Sequence, residues 1–307
     1  MRLGFGLPQV GPAAGPDALV RVARRAEELG YDDVWTFDRL LWPLAPRTPY
    51  PASADGKLPE LSKTVLDPLE ALTFVAAHTQ RVGLATSVLN LPFYNPVLLA
   101  RRLTTLDVLS RGRLQVGFGN GWSADEFEAA GAPMKVNGKR TDEALRLIKT
   151  IWTTDPVEFA GEHYRVPRSV IYPKPVQQPH PPIYLAAFSQ TTMRRVAQEA
   201  NGWLPAGLPI GRMQEMFASI KDMARAADRD PSTLQLIVRA NVFLSAKPLG
   251  AQRAAFAGTP EQLRDDIHAT RAAGADELHF DVQFSPGVTS EDAMVDRMEQ
   301  LWELAHQ

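Results

Sequence analysis

Four short stretches place polar or small residues where a β-type run ends, and each suits a different piece of chemistry. WTFDRL ends in Asp38-Arg39. Arginine stays protonated at any working pH, so Arg39 can grip a carbonyl or carboxylate, or offset negative charge, but cannot shuttle a proton as histidine does. A salt bridge in a loop, with no chemical role, suits it as well. PIYLAAFSQ runs from a strand into a helix starting near Gln190, through Ala186, Ala187, Phe188 and Ser189. A helix N-terminus offers free N–H groups and the positive end of the dipole, which suits a phosphate. Alanine lets a ligand approach the backbone, though less freely than glycine. Ser189 is then either a phosphate donor or a plain N-cap. Gly119, Asn120 and Gly121 form a glycine-rich turn after another strand, either a tight connection or a passage for a ligand close to the backbone. His279 and Asp281 share one face of ELHFDV, as a satisfied structural pair or as reactive groups inside the fold.

Several chemistries are excluded. The chain has 307 residues and no cysteine, which removes disulfides, thiolate nucleophiles and thiolate metal sites. Its histidines, at 78, 163, 180, 268, 279 and 306, are too scattered for a local metal motif. Gly121-Trp122-Ser123-Ala124-Asp125 lacks the last glycine of a nucleophile elbow, and Gly117 to Trp122 lacks the last glycine of a dinucleotide fingerprint. A net charge of −2 gives no reason to expect nucleic acid or an anionic membrane as partner. No run approaches the roughly 18 apolar residues of a membrane span, and MRLGFGLPQV does not read as a signal peptide. A soluble cytoplasmic protein is expected.

The positioning elements follow one rhythm. Short β-type runs begin at Leu3, Asp33, Val82, Leu114, Pro182, Gly202, Leu236 and Glu277, with helical segments between them. Asp67-Pro68-Leu69-Glu70 and Thr259-Pro260-Glu261-Gln262 are helix starts, with a cap, a proline at the first position and an acid or amide three on. Gly30 and Gly274 close helices. Eight apolar strands, each followed by a helix, predict a (β/α)8 TIM barrel over residues 1–307; an open doubly wound sheet is the rival. Two insertions break the rhythm. Residues 41–63, after the second strand, hold five prolines and read as a substrate lid or an inert loop. Residues 155–181, before the fifth strand, hold a hairpin, VEFAGEHYRV, and then YPKPVQQPHPP, which could reach either face. Trp42, Tyr50, Phe93 and Tyr94 line a substrate pocket or simply pack, and Trp122 packs at a helix start. Asp125, Glu126 and Glu128 begin a helix, where acids favour the dipole regardless of function.

GFGLPQ, AEELGYDDVWTFDRL, LATSVLNLPFYNPVLLARRLTTLDVLSRGRLQVGFGNGW, PKPVQQPHPPIYLAAFSQ, GWLP and GTPEQLRDDIHATRAAGADELHF occur in that order. Together they resemble the luciferase-like flavin and deazaflavin oxidoreductases over nearly the whole chain. PKPVQQPHPPI and GTPEQL resemble the branch that uses coenzyme F420 rather than FMN. The resemblance implies a cofactor across the carboxyl ends of the barrel strands. It also implies a non-prolyl cis peptide, here Ser87-Val88, behind the ring. Relatives often carry Gly-Gly-x-Ser where this chain has Ala186-Ala187-Phe188-Ser189, and Asp-His where it has Asp38-Arg39. With Arg39 in the histidine's place, a proton must come from a tyrosine, a carboxylate or water. The implied cofactor residues are Asp38, Ser87, Val88, Gly119, Asn120, Gly121 and Ala186 to Ser189; the implied catalytic residues are Asp38 and Arg39. The expected activity is hydride transfer between F420 and a small organic substrate, in a homodimer. The alternatives are an FMN-dependent monooxygenase fed by a separate reductase, and a non-catalytic cofactor-binding barrel.

Overall fold

The structure, a computed structural model, describes residues 1–53 and 55–307; Ala54, in the proline-rich loop, lies outside the described residues. Eight parallel strands close on themselves: β1 (Arg2–Gly6), β2 (Asp33–Thr36), β3 (Gly83–Thr86), β4 (Leu114–Gly119), β5 (Ile183–Leu185), β6 (Gly202–Trp203), β7 (Gln235–Asn241) and β8 (Glu277–Asp281). Each pairs with the next, from β1 with β2 round to β7 with β8. The ring closes where Leu3 of β1 lies beside Leu278 of β8. Helices follow the strands: α1 (Pro16–Leu29), α2 (Pro68–Ala76), α3 (Pro96–Leu109), α4 (Ala124–Ala129), α5 (Asn137–Thr153), α6 (Gln190–Glu199), α7 (Ile210–Arg225), α8 (Pro260–Ala272) and α9 (Glu291–His306). This is the (β/α)8 barrel the strand count predicts, not an open sheet. Among the described residues no helix is long and apolar enough to cross a membrane.

Local chemistry sets the boundaries. Asp67 accepts hydrogen bonds from the N–H groups of Leu69 and Glu70, and Thr259 and Gln262 form a reciprocal capping box. Gly30 ends α1 with φ +96°, a left-handed geometry that suits glycine. The outward faces of the strands and the inward faces of the helices form one apolar core. Inside the barrel, Trp35, Ala85, Tyr184, Leu204 and Ile237 pack together. Room for them comes from glycines on adjacent strands. A Cβ on Gly4 would stand 2.4 Å from Trp35 Nε1, 2.7 Å from His279 Cβ and 2.8 Å from Glu277 Oε1.

Two strands are shorter than the apolar runs suggest. LIVRANVFL does not continue past Asn241. There Val242 donates to the Asp281 carbonyl, while Phe243–Leu244 pairs instead with Ala257–Gly258. VGLATSV stops at Thr86; the Ser87–Val88 peptide is cis, and Leu89–Asn90 then pairs with Phe118–Gly119 at the end of β4.

The two insertions lie on opposite faces. Residues 41–53 and 55–63 lie over the carboxyl ends of the strands. The second insertion forms the expected hairpin, Val157–Ala160 against Arg165–Ser169, whose turn is held by Glu143 of α5 accepting from the N–H groups of Glu162, His163 and Tyr164. The proline-rich run after it is bound to the amino end of β4: Asp107 accepts from Val176 N–H at 2.7 Å, and Gln177 donates to the Leu114 carbonyl at 2.7 Å. PKPVQQPHPP therefore braces the face away from the strand ends that bear Asp38 and Ser87.

Two glycine substitutions test the packing of the barrel. Gly4→Ala drives a methyl group into Trp35 and Glu277 and should cost about 1–3 kcal/mol, as overpacking does. Gly211→Ala, on an open face of α7 with no atom within 4 Å, should stabilise by about 0.5 kcal/mol. Urea unfolding of the two variants checks both signs.

Candidate functional site

The cis Ser87–Val88 turn is held from across the barrel. Arg239, the one charged residue in β7, donates from Nη1 to the Ser87 carbonyl at 2.6 Å. Its Nη2 pairs with Asp281 at the end of β8, and its Nε donates to Asn241 Oδ1 at 3.1 Å. One guanidinium thus ties β7, β8 and the end of β3, with every nitrogen engaged and both ions mostly buried. The Ser87 hydroxyl is hydrogen-bonded to His279 Nε2 at 3.2 Å, and Ser87 N–H donates to the Thr36 carbonyl. His279 is stacked on Trp35, centroids 4.5 Å apart. Burial, reinforced by the charge of Arg239, pushes its pKa well down, so the imidazole is neutral. His279 and Asp281 share a face as predicted, yet they serve different partners. On the far side of the turn Val88 packs against Gly119, where a Cβ would come within 2.6 Å of Val88 Cγ2.

Asp38 and Arg39 diverge. Asp38 is buried beside the turn: its N–H donates to the Val88 carbonyl at 3.1 Å, and its Oδ2 accepts from Asn90 N–H at 3.0 Å. Burial raises its pKa to about 6, although Asn90 N–H and the Tyr94 hydroxyl favour the carboxylate. The same burial, with Asp38 adjacent, pushes the Tyr94 phenol up. Arg39 turns away to Glu126 of α4, Nη1 to Oε2 at 2.9 Å, and stacks over Trp122 at 5.1 Å from its centroid. Glu126 is 1% exposed and also accepts from Leu40 N–H at 2.8 Å. The acid read as a dipole partner is thus the buried anchor of the loop. Arg47 pairs with Asp125 and Glu128 of the same helix, 2.8 and 2.6 Å away. The base of the loop is closed by Gln9, fully buried after β1. Its Nε2 donates to the carbonyls of Phe37 (2.7 Å) and Leu66 (3.0 Å), and its Oε1 accepts from Phe37 N–H at 2.6 Å.

These elements enclose a pocket of about 450 Å³ at the carboxyl ends of the strands. Asp38, Arg39, Ser87, Val88, Asn90, Arg239 and Asp281 give it one wall; Phe37, Leu61, Phe243 and Phe284 supply apolar surface. Of the aromatics expected there, Tyr50 lines it, joined by Trp122. Phe93 packs edge-on against Phe127, and Trp42 lies under Lys63 Nζ. Gly119, Asn120 and Ala186 line a separate narrow cleft between β4 and β5, together with Thr192 and Arg195 of α6. Ser189 caps α6 in a reciprocal box with Thr192, and Ala187 is buried with its carbonyl accepting from Trp203 Nε1 at 2.9 Å. Phe188 is exposed. Gly121 takes φ +68° under Phe93, the geometry of a tight turn.

The Asp38 carboxyl has a measurable consequence. Its folded pKa of about 6 lies above the ordinary 3.8, so the fold retains a proton that the unfolded chain releases. Wild-type stability therefore falls as pH rises between these values and stays low above the upper one. Asp38→Asn removes that loss. It should leave stability near wild type at pH 4 and raise it by about 1–3 kcal/mol at pH 8, read by urea unfolding at the two pH values.

Comparison with known proteins places this geometry. The luciferase-like monooxygenase family matches residues 2–255. An uncharacterised protein of Mycobacterium tuberculosis is 31% identical over 253 residues, 80% of this chain and 89% of that protein. An F420-dependent glucose-6-phosphate dehydrogenase of Nakamurella multipartita is 30% identical over 301 residues, 94% of this chain and 83% of that protein. Monooxygenase RslO1 from Streptomyces bottropensis has a TM-score of 0.79 at 26% identity, covering 100% of this chain and 99% of its own. An F420-dependent secondary alcohol dehydrogenase, solved with an F420-acetone adduct, shares the fold with a TM-score of 0.79 at 17% identity over 100% of this chain and 99% of its own. This chain belongs to the luciferase-like monooxygenase family, and it is an oxidoreductase.

Proposed function

We propose that the protein transfers hydride between coenzyme F420 and a small organic substrate in the pocket over the Ser87–Val88 turn. The observation that carries this reading is the pocket itself. Its floor is a backbone turn held by Arg239 and His279, its wall holds a carboxyl that titrates near neutrality, and Phe37, Leu61, Phe243 and Phe284 add apolar surface. Such a site fits a flat, uncharged ring system backed by a rigid turn, with a second molecule on the ring's open face. The F420-dependent relative at 30% identity supports the coenzyme.

When bound, F420 supplies a ring carbon that takes or gives hydride. The chain's residues do the rest. Ser87 and Val88 back the ring, and Arg239 fixes their position. The N–H groups at the start of α6, beside Ser189, are suited to the phosphate of the coenzyme's tail. The loop over residues 41–63 excludes water and orients the substrate. Arg39, paired with Glu126, holds the loop and one wall rather than moving a proton. Asp38 takes that role: in oxidation of an alcohol its carboxylate accepts the hydroxyl proton as hydride leaves carbon, and in the reverse direction its acid form returns it.

A second reading, an FMN-dependent monooxygenase, is favoured by the fold likeness to monooxygenase RslO1. Fluorescence titration with F420 and with FMN separates the two. F420 binding at micromolar or lower concentration, with FMN much weaker, is the expected result. Preference for FMN, with oxygen consumed on adding its reduced form, selects the monooxygenase. Binding of neither would leave a barrel without this cofactor chemistry. With F420 bound, Asp38→Asn should lower turnover by about 100-fold. It should also remove the inflection near pH 6 from the rate profile while leaving the coenzyme's Kd within a few-fold.

A further inference from the structure

The pocket's cations are already paired with carboxylates. Four side chains with formal charge line it: Asp38, Arg39, Arg239 and Asp281. Two arginines against two aspartates sum to zero. Arg39 gives its Nη1 to Glu126, itself buried, and its face to Trp122. Arg239 has each of its nitrogens on an acceptor, from Asp281, Asn241 and the Ser87 carbonyl. The loop's other cations turn outward. Arg47 pairs with Asp125 and Glu128, Lys63 pairs with Glu60, and Lys57 is exposed and outside the lining.

The starts of α4 and α2 offer no alternative. The first turn of α4 carries Asp125 and Glu126, and α2 opens with the Asp67 cap and Glu70, so both positive dipole ends are offset by carboxylates. An anion entering here would lose its hydration and meet only cations already paired with carboxylates, and would face Asp38 and Asp281. The uncharged lining is mostly the apolar surface of Phe37, Phe243, Phe284 and Leu61, with Ser53, Ser62, Asn90 and Asn241 as its neutral polar groups.

We infer that the substrate is an uncharged molecule with an aromatic or otherwise apolar body, and that phosphorylated compounds are rejected at this site. The inference rests on the reading that coenzyme and substrate share this pocket. It sets the chain's selectivity apart from what the name of its glucose-6-phosphate dehydrogenase relative describes.

Calorimetric titration with benzyl alcohol and phenyl phosphate, which share a ring and differ in charge, tests it on the full chain with and without F420. Benzyl alcohol should bind at least about tenfold more tightly than phenyl phosphate, a difference of about 1.4 kcal/mol. Its Kd should change little between low and high salt. Phe284→Ala should weaken benzyl alcohol by about fivefold and leave phenyl phosphate unchanged. Glucose 6-phosphate should not drive F420 reduction. Equal or tighter binding of phenyl phosphate, failure of both probes to bind, or F420 reduction by glucose 6-phosphate overturns the inference. If F420 fails to bind while benzyl alcohol still wins, the coenzyme reading falls and the preference for a neutral ligand stands.

Discussion

A guanidinium in an otherwise uncharged strand governs the mouth of this barrel. Burying Arg239 is unfavourable unless every nitrogen finds an acceptor. The acceptors come from the tip of β8, from its own strand and from the carbonyl of Ser87. The turn at Ser87–Val88 is consequently not a free loop end. It is fixed on one side by Arg239 and His279 and on the other by Gly119, which leaves space for Val88 alone. A surface that must lie flat against a planar group is better made from backbone pinned at both sides than from a side chain with rotamers to lose.

Around that surface, one charge is held in an ion pair and its neighbour is left to titrate. Arg39 and Glu126 form a nearly solvent-free pair that joins the loop to α4, and its geometry leaves the arginine no part in proton transfer. Asp38, one residue earlier, has no cation of its own and accepts from a backbone N–H, so burial dominates and its proton is labile near neutrality. Adjacent residues in the chain thus take different tasks because one faces a carboxylate and the other faces the turn.

The barrel was legible because its signals are local. Caps, prolines at first helical positions and runs of buried apolar residues each need only a few neighbours in sequence, and they delimit the eight units. The Ser87–Val88 turn was legible through resemblance, not through periodicity. What could not be read were contacts between distant segments. Glu126 looks like any acid in a helix's first turn until Arg39, 87 residues away, is brought against it. Arg239 carried a usable signal, a lone charge within LIVRANVFL, but its partner just after β3, Ser87, lies 152 residues off. The proline-rich run at 173–182 gave no hint of its face, because that depends on Asp107 at the far end of α3. Gln9 was hidden for the same reason: a single amide takes its meaning from Phe37 and Leu66 together.

That amide has a consequence for how the protein tolerates change. By joining Phe37 to Leu66 at their bases, Gln9 makes the whole roof of the pocket a closed loop whose ends are fixed before its interior is specified. The entropy of closing such a loop grows only with the logarithm of its length, about 0.6 kcal/mol for each doubling. The roof is therefore a cassette. Beyond the Arg39–Glu126 pair its length can change at little cost in closure entropy, and with it the shape offered to a ligand.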